Sequence, residues 1–220
     1  MERKISFAEN EFYDLYNRGV DKRKIYLSAS DYRRFLALLY LANSTAPAHL
    51  ANLLRGKQLK DLSTITREHP LVAIGAFCLM PNHFHILLTP LVEHGISKFM
   101  LKLETGYSMY FNKKYERSGA LFQGKFKAEH ASSDNYLKYL YAYIHLNPAK
   151  LKDVAWKEKG VKDLVAMEKF VESYPYSSYE AYIKGEHWIT NPGPFPQYFE
   201  TSKDFATVVR HWLTFRESKE

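Results

Sequence analysis

The chain has 220 residues, of which 46% are hydrophobic and 25% charged, so it can form one large folded domain or one domain with an appended segment. The 31 Lys and Arg exceed the 24 Asp and Glu by seven, which favours either a polyanionic partner such as nucleic acid or a merely basic surface. One cysteine excludes an internal disulfide, and no signal peptide or uninterrupted membrane-length apolar run is apparent, so we expect a cytoplasmic protein without membrane contact.

A strand and a helix are predicted first along the chain. Residues 11–19, EFYDLYNRG, alternate loosely between apolar and polar side chains and end in Asn-Arg-Gly, which is typical of a strand that enters a turn. The segment SASDYRRFLALLYLAN then has Phe35, Leu38 and Leu39 at helical spacing, with Ser30 as the candidate N-cap. Residues 44–70 have a weaker pattern and are predicted to form an inserted surface segment that contains a short helix.

A hairpin and a second helix follow. Two short apolar runs, residues 71–80 and 83–89, are separated by Pro81-Asn82, a pair that suits the centre of a tight turn. Residues 95–115 place their apolar side chains on one face at steps of three and four, which predicts an amphipathic helix. The buried positions of this helix are expected to be Ile96, Phe99, Met100, Leu103, Tyr107, Tyr110 and Phe111.

The second half of the chain is predicted to contain a strand and further helices. The run SGALFQGKFKAEH indicates a loop and a strand, and DNYLKYLYAYIHLNP a helix that ends near Asn147 because Pro148 disfavours helical backbone before it. An aromatic stretch, a Pro-rich loop and a last helix in DFATVVRHWLTFRES complete the chain. This order of elements predicts an α+β fold with helices packed on an antiparallel sheet. The helix that is predicted to end near Asn147 is expected to bury one stripe of side chains, namely Leu137, Leu140, Tyr141 and Ile144.

Two short motifs carry chemically useful side chains. His83 and His85 are two apart in a predicted strand, so both imidazoles face one side, about 6.6 Å apart, and can reach one metal ion. Tyr143 and Asn147 are four apart and share a helix face that is turned away from the buried stripe. An Asn carbonyl suits a divalent ion beside two imidazoles, and a metal ion next to a tyrosine hydroxyl suits phosphoryl transfer. Each motif alone is weak, because such pairs also occur by chance and are then structural.

Longer stretches around these motifs resemble a known family. CLMPNHFHILL around the histidines, SGALFQGKF at residues 118–126 and YIHLNP at residues 143–148 are similar to the REP-associated tyrosine transposases. These are single-tyrosine members of the HUH superfamily of single-stranded DNA endonucleases. YNRG at residues 16–19, DYRRFLALL from residue 31 and YPYSSY at residues 174–179 extend the resemblance.

The resemblance implies a ferredoxin-like antiparallel sheet with packed helices, followed by a C-terminal helical and aromatic extension. Residues 1–155 would form the catalytic domain, with residues 44–70 inserted, and residues 156–220 would form the extension that packs on it. By the same resemblance, His83, His85 and Asn147 are the expected ligands of Mg²⁺ or Mn²⁺. Tyr143 is the expected nucleophile towards a phosphate of single-stranded DNA.

The implied activity is that of a transposase and endonuclease. Such an enzyme cleaves and rejoins hairpin-bearing single-stranded DNA, such as repetitive palindromic elements, through a 5′-phosphotyrosine intermediate, and it acts as a monomer or a homodimer. The alternative is a domesticated protein of the same fold that binds DNA without cleaving it. Two departures from the family pattern are the long segment at residues 44–70 and the sequence AKLKDV after Pro148.

The candidate DNA contacts combine cations for the phosphates with polar side chains near the motifs. They are Asn17, Arg18, Lys113, Lys114, Arg117, Gln123, Lys125 and Lys127. Phe122 and Phe126 are interpreted either as stacking platforms for unpaired bases or as core residues. His145 lies on a different helical face from Tyr143, so it is interpreted as structural or peripheral.

Overall fold

The computed structural model describes residues 6–46 and 59–215, which build a four-stranded antiparallel sheet in the order β2-β3-β1-β4. Helix α1 (Ala29–Leu41) follows β1, and helix α2 (Gly95–Lys114) follows β3. The resulting order β-α-β-β-α-β is that of a ferredoxin-like fold, so the predicted α+β fold class is confirmed. The strands are β1 (Tyr13–Arg18), β2 (Val72–Met80), β3 (His83–Pro90) and β4 (Lys127–His130).

Helices α1 and α2 cover one face of the sheet. Leu15 of β1 and Phe84 of β3 are fully buried in the same cluster as Phe35 of α1 and Leu103 of α2. Side chains alternate between the faces along a strand, so the neighbours of these residues in β1 and β3 belong to the opposite face. The predicted apolar face of α2 is confirmed except at Tyr110, which is half-buried.

The N-cap of helix α1 lies two residues before the predicted cap. Ser28 is the N-cap, and it forms a capping box in which the Asp31 side chain accepts hydrogen bonds from the backbone N–H groups of Leu27 and Ser28. Ser30 lies inside the first turn, so its prediction as the cap is wrong. The Asp31 carboxylate, three residues after Ser28, completes the capping box, whereas no carboxylate lies three residues after Ser30.

Helix α3 (Asp134–Leu146) packs on the other face of the sheet. Its predicted buried stripe is confirmed, and it contacts Cys78, Met80 and Leu87 of the hairpin. The helix ends at Leu146 as expected, but Asn147 keeps helical backbone angles, with φ −53° and ψ −40°. The expectation that Pro148 biases Asn147 out of helical conformation is therefore wrong. A hydrogen bond from Asn147 Nδ2 to the Tyr143 carbonyl, 3.0 Å long, holds the Asn147 side chain against this last turn.

The chain after residue 148 folds onto α3 and the β2 edge. Phe205, Val209 and Leu213 of the last helix are buried in one cluster with Ala142 and Leu146 of α3. Beside the hairpin, the Leu79 N–H donates to the Tyr176 carbonyl (2.8 Å), which adds a short extended segment to β2. The helices of this part are α4 (Ala149–Lys152), α5 (Trp156–Lys159), α6 (Leu164–Glu172), α7 (Tyr179–Lys184) and α8 (Ser202–Thr214).

Gly75 lies at a register irregularity in β2, where that strand runs under the C-terminal part of the chain. A Cβ atom at this position would come within 2.7 Å of the Phe195 ring and 2.8 Å of the Tyr141 hydroxyl. Both approaches are closer than carbon contacts allow. Glycine is therefore required by the close approach of α3 and of the 192–198 loop to the strand.

The predicted insertion is only partly covered by the described residues. Its short helix is predicted somewhere in residues 44–70, and a 3₁₀ turn is present at Leu59–Thr64, whereas residues 47–58 lie outside the described ranges. Within residues 6–46 and 59–215, no helix is long and apolar enough to span a membrane.

Candidate active site

A cleft of about 620 Å³ opens on the α3 side of the sheet, next to the ends of β1, β3 and β4. It brings the histidine motif and Tyr143 together, although they lie 58 positions apart in the sequence. Cationic, anionic and aromatic side chains share its wall. The lining residues are Asp14, Tyr16, Asn17, Arg18, Lys22, Asn82, His83, His85, Gln123, Lys127, Glu129, Tyr136, Tyr139, Leu140 and Tyr143.

The two histidines face the cleft from β3, while Phe84 between them is buried on the opposite face. Their ring centroids are 5.5 Å apart, which is shorter than the spacing of about 6.6 Å predicted from strand geometry. The Nδ1 atom of His85 lies 2.9 Å and 3.2 Å from the two carboxylate oxygens of Asp14. The Nδ1 atom of His83 lies 2.7 Å from Asn82 Oδ1. With both Nδ1 atoms engaged by oxygen acceptors, each ring keeps Nε2 available as a metal ligand.

Tyr143 stands beside the histidine pair on α3. Its ring centroid is 5.4 Å from that of His85, and the two planes are perpendicular. Burial raises the pKa of the Tyr143 phenol to about 12, and Asp14, Tyr139 and Glu129 add to this shift, while Asn147 opposes it. The phenol is therefore protonated at neutral pH, and a reaction at its oxygen requires that its proton be removed.

Asn147 lies at the end of α3, next to both motifs. It is buried, and its Oδ1 atom has no hydrogen-bond partner within the described part of the chain. Burial lowers the pKa of His83 to about 4, with smaller contributions from His85 and Lys150, while the nearby Asn147 side chain opposes the shift. His83 is thus neutral at pH 7, as a metal ligand must be. An imidazole pair beside an unsatisfied amide oxygen fits a divalent cation.

Clusters of three or more His, Cys, Asp or Glu side chains with metal-binding geometry are absent from residues 6–46 and 59–215. A metal site at the two histidines would therefore need its further protein ligand from another residue type. The orphaned carbonyl oxygen of Asn147 is a donor of the required kind.

Three cleft residues were not found by sequence reasoning. Asp14 contacts His85 as described above, and the Tyr16 ring stacks on the His85 ring at 5.3 Å. Glu129 accepts hydrogen bonds from the hydroxyls of Tyr16 (3.0 Å) and Tyr136 (3.2 Å). A signal was present in the sequence, because Asp14 and Tyr16 are two apart in β1 and alternate with core residues, so they had to face the histidine side.

Four of the eight candidate DNA contacts lie in the cleft: Asn17, Arg18, Gln123 and Lys127. Arg18 Nε donates to Gln123 Oε1, and the Lys127 side chain is exposed. Asn17 is buried and donates to Glu104 Oε1 (2.8 Å) and to the Gly124 carbonyl (3.2 Å), so its amide also ties β1 to the loop before β4. A DNA contact by Asn17 would use an already ordered side chain.

The other candidate contacts do not line the cleft. Lys113 and Lys114 are the last residues of α2, Arg117 follows three positions later, and Lys125 is exposed in the loop before β4. The Lys114 ammonium is 2.6 Å from Asp31 Oδ1, a fully buried carboxylate, so it anchors α2 to α1. A DNA-binding role for these four residues stays a prediction.

The structure decides between the two interpretations of Phe122 and Phe126. They are 5% and 8% exposed and belong to the core on the α1 and α2 side, so they are core residues. His145 is fully buried between the Tyr141 carbonyl (2.7 Å) and Ser178 Oγ (2.8 Å), so of its two interpretations the structural one is correct.

A family model of IS200-like transposases matches residues 50–147, a range that includes both histidines, Tyr143 and Asn147. The predicted resemblance to single-tyrosine transposases is confirmed. Among solved structures, a REP-associated tyrosine transposase bound to a REP hairpin is similar to this chain, with a TM-score of 0.51 and 14% sequence identity. The alignment covers 88% of this chain and 92% of the other, and at this identity it shows the shared fold. No curated protein sequence matches. The family match supports a transposase and DNA-binding role.

Proposed function

We propose that this protein is a metal-dependent endonuclease and strand transferase that cleaves and rejoins single-stranded DNA through Tyr143. The observation that carries the proposal is the convergence of Tyr143 and His85, whose rings are 5.4 Å apart in one cleft. Arg18, Lys22 and Lys127 line the same cleft, and cations of this kind contact DNA phosphates. The substrate proposed for the cleft is a hairpin with a single-stranded flank, and the structural neighbour is bound to a REP hairpin.

The residues that would hold Mg²⁺ or Mn²⁺ are His83, His85 and Asn147, through two Nε2 atoms and one amide oxygen. Such an ion polarises a phosphate oxygen and stabilises the negative charge that develops during phosphoryl transfer. Asp14 keeps the His85 ring in the orientation and tautomer that leave Nε2 available. Asn82 does the same for His83.

The covalent step starts from the Tyr143 phenol. Its oxygen loses its proton and attacks the phosphorus, the bond between phosphorus and the 3′ oxygen breaks, and that oxygen takes up a proton to become a 3′-hydroxyl. The product is a 5′-phosphotyrosine, and attack by a 3′-hydroxyl on this linkage reverses the step and joins strands. With a pKa of about 12, about one phenol in 100,000 is ionised at pH 7, so deprotonation must be assisted.

The proposal is tested by adduct formation on denaturing gels. Wild type and Tyr143→Phe are incubated with Mn²⁺ and a panel of labelled single-stranded palindromes that carry unpaired flanks. The wild type is expected to form a covalent protein–DNA band and the variant none. A band that persists in the variant contradicts the role of Tyr143. Tight binding by the wild type without any adduct on the panel favours a domesticated DNA-binding protein instead.

A further inference from the structure

A second cavity, the aromatic pocket, lies on the far side of Tyr143 from the cleft, between α3, α5 and α8. Its volume is about 130 Å³, so it is much smaller than the cleft and suits a single planar ring system. Tyr139 and Tyr143 line both cavities and form their shared wall. A DNA strand whose phosphate lies at Tyr143 is thus next to the aromatic pocket. The lining residues are Tyr139, Tyr143, Leu146, Trp156, Lys157, Trp212 and Phe215.

The walls of the aromatic pocket are rings set at angles to one another. The Trp212 ring centroid is 4.7 Å from that of Tyr139 at 66°, and 5.1 Å from that of Phe215 at 59°. Phe215 is 47% exposed and Lys157 is also exposed, so the pocket opens to solvent. Apolar ring faces that reach the surface beside a cation are the usual means by which proteins hold unpaired bases.

Polar groups at the pocket point to a ligand with hydrogen-bond acceptors. Trp156 is 3% exposed, and its buried indole N–H has no acceptor among the residues that the structure describes. Buried indole N–H groups usually have a partner, so a ligand acceptor would satisfy this one. The Lys157 ammonium lies 4.8 Å from the centroid of the Tyr143 ring and 5.6 Å from that of the Trp156 ring. A purely apolar occupant would use neither group.

We propose that the aromatic pocket holds one unpaired nucleobase of the DNA strand, next to the phosphate that Tyr143 attacks. The base stacks on Trp212, one of its carbonyl or ring-nitrogen acceptors takes the Trp156 N–H, and Lys157 lies near the adjoining phosphate. The C-terminal extension thus positions the strand, since Trp156, Lys157 and Trp212 all belong to it. The inference rests on the proposed function, because that function places the DNA at Tyr143.

Photo-crosslinking tests the pocket without any need for catalysis. Single strands of 20 nucleotides and hairpins with unpaired flanks, each carrying 5-iodouracil at one unpaired position, are irradiated with the protein, and the crosslinked peptides are mapped by mass spectrometry. We expect a crosslink at Trp212 or Trp156 from one position only. Crosslinks confined to cleft residues, or no binding of any strand, would overturn the inference.

A matched pair of variants measures the stacking energy. In the wild type, an abasic nucleotide at the crosslinking position is expected to weaken binding about tenfold or more. In Trp212→Leu, an abasic nucleotide at this position should no longer weaken binding. The effect of abasic nucleotides at other positions of the strand should be the same as in the wild type. Trp188→Leu removes a half-buried indole outside both cavities and serves as the control, and thermal unfolding of both variants verifies folding. A penalty unchanged in Trp212→Leu contradicts the subsite.

The two proposals fail in distinguishable ways. Suppose that a Tyr143 adduct forms, that no crosslink reaches Trp212, and that Trp212→Leu leaves the abasic binding penalty unchanged. Only the subsite is then wrong. Suppose instead that the Trp212 crosslink appears and that Trp212→Leu abolishes the abasic binding penalty, but no adduct forms. The base-binding pocket is then supported, and the proposed cleavage activity is wrong.

Discussion

Replacement of Asp14 by Asn should weaken metal-dependent cleavage without unfolding the protein. The two Asp14 oxygens lie 2.9 Å and 3.2 Å from His85 Nδ1, which is the geometry of a charge-assisted hydrogen bond worth about 1.5–3 kcal/mol. Loss of a comparable partner of a metal-bound His typically costs about 10–100-fold in metal affinity or activity, or about 1.4–2.8 kcal/mol, so the two estimates agree. The Asn amide oxygen can still accept the bond, and we therefore expect about a tenfold loss, with about 100-fold for Asp14→Ala.

The measurement is the initial rate of single-strand cleavage as a function of Mn²⁺ concentration. The half-saturating concentration should rise about tenfold in Asp14→Asn, while hairpin binding without metal stays constant. Burial raises the pKa of Asp14, so its charge is costly in the fold and the Asn variant should unfold at no lower temperature. Glu180→Gln, which removes an exposed carboxylate on α7, is the control for net charge. An unchanged Mn²⁺ dependence in Asp14→Asn would refute the role assigned to Asp14.

Three further predictions concern the fold and the metal. Gly75→Ala should lower the free energy of unfolding by about 1–3 kcal/mol in urea, because the new Cβ would overlap Phe195; an unchanged midpoint would contradict this. Burial alone would raise the pKa of Asp31, but hydrogen bonds, first from Lys114, hold it at about 2. Asp31→Asn should therefore lower the free energy of unfolding by about 2 kcal/mol at pH 7 relative to the wild type. This difference between variant and wild type should disappear between pH 4 and pH 2, and a difference that is constant with pH would refute the ion pair. Chelation should abolish cleavage and Mn²⁺ should restore it, whereas chelator-resistant cleavage would remove the metal from the mechanism.

Periodicity predicted the faces of single elements well. Alternation along β3 placed His83 and His85 on one side and Phe84 on the other, and the 3.6-residue period separated Tyr143 from the buried stripe of α3. Both rules depend only on local backbone geometry, which does not change when the element packs. The order of elements, together with the Pro-Asn turn, was enough to predict the sheet and its hairpin.

Features that depend on pairing between distant segments were missed. Asp14 reaches His85 because β1 pairs with β3 in a register that sets Tyr16 opposite His85, and no local pattern encodes that register. The pairing of the Lys114 ammonium with a carboxylate 83 positions earlier likewise has no local signal, and its predicted DNA contact stays a prediction. Pro148 was expected to end helical geometry at Asn147, yet a side-chain hydrogen bond to the preceding turn accompanies helical angles there.

The central claim is that the Tyr143 oxygen forms the covalent bond to DNA, and mass spectrometry of the adduct tests it most directly. After reaction with a cleaved hairpin and Mn²⁺, the protein is digested with protease and nuclease, and the modified peptide is sequenced. The account predicts a 5′-linked nucleotide on Tyr143 alone. A nucleotide on Tyr136, Tyr139 or any other residue, with Tyr143 unmodified, would contradict it.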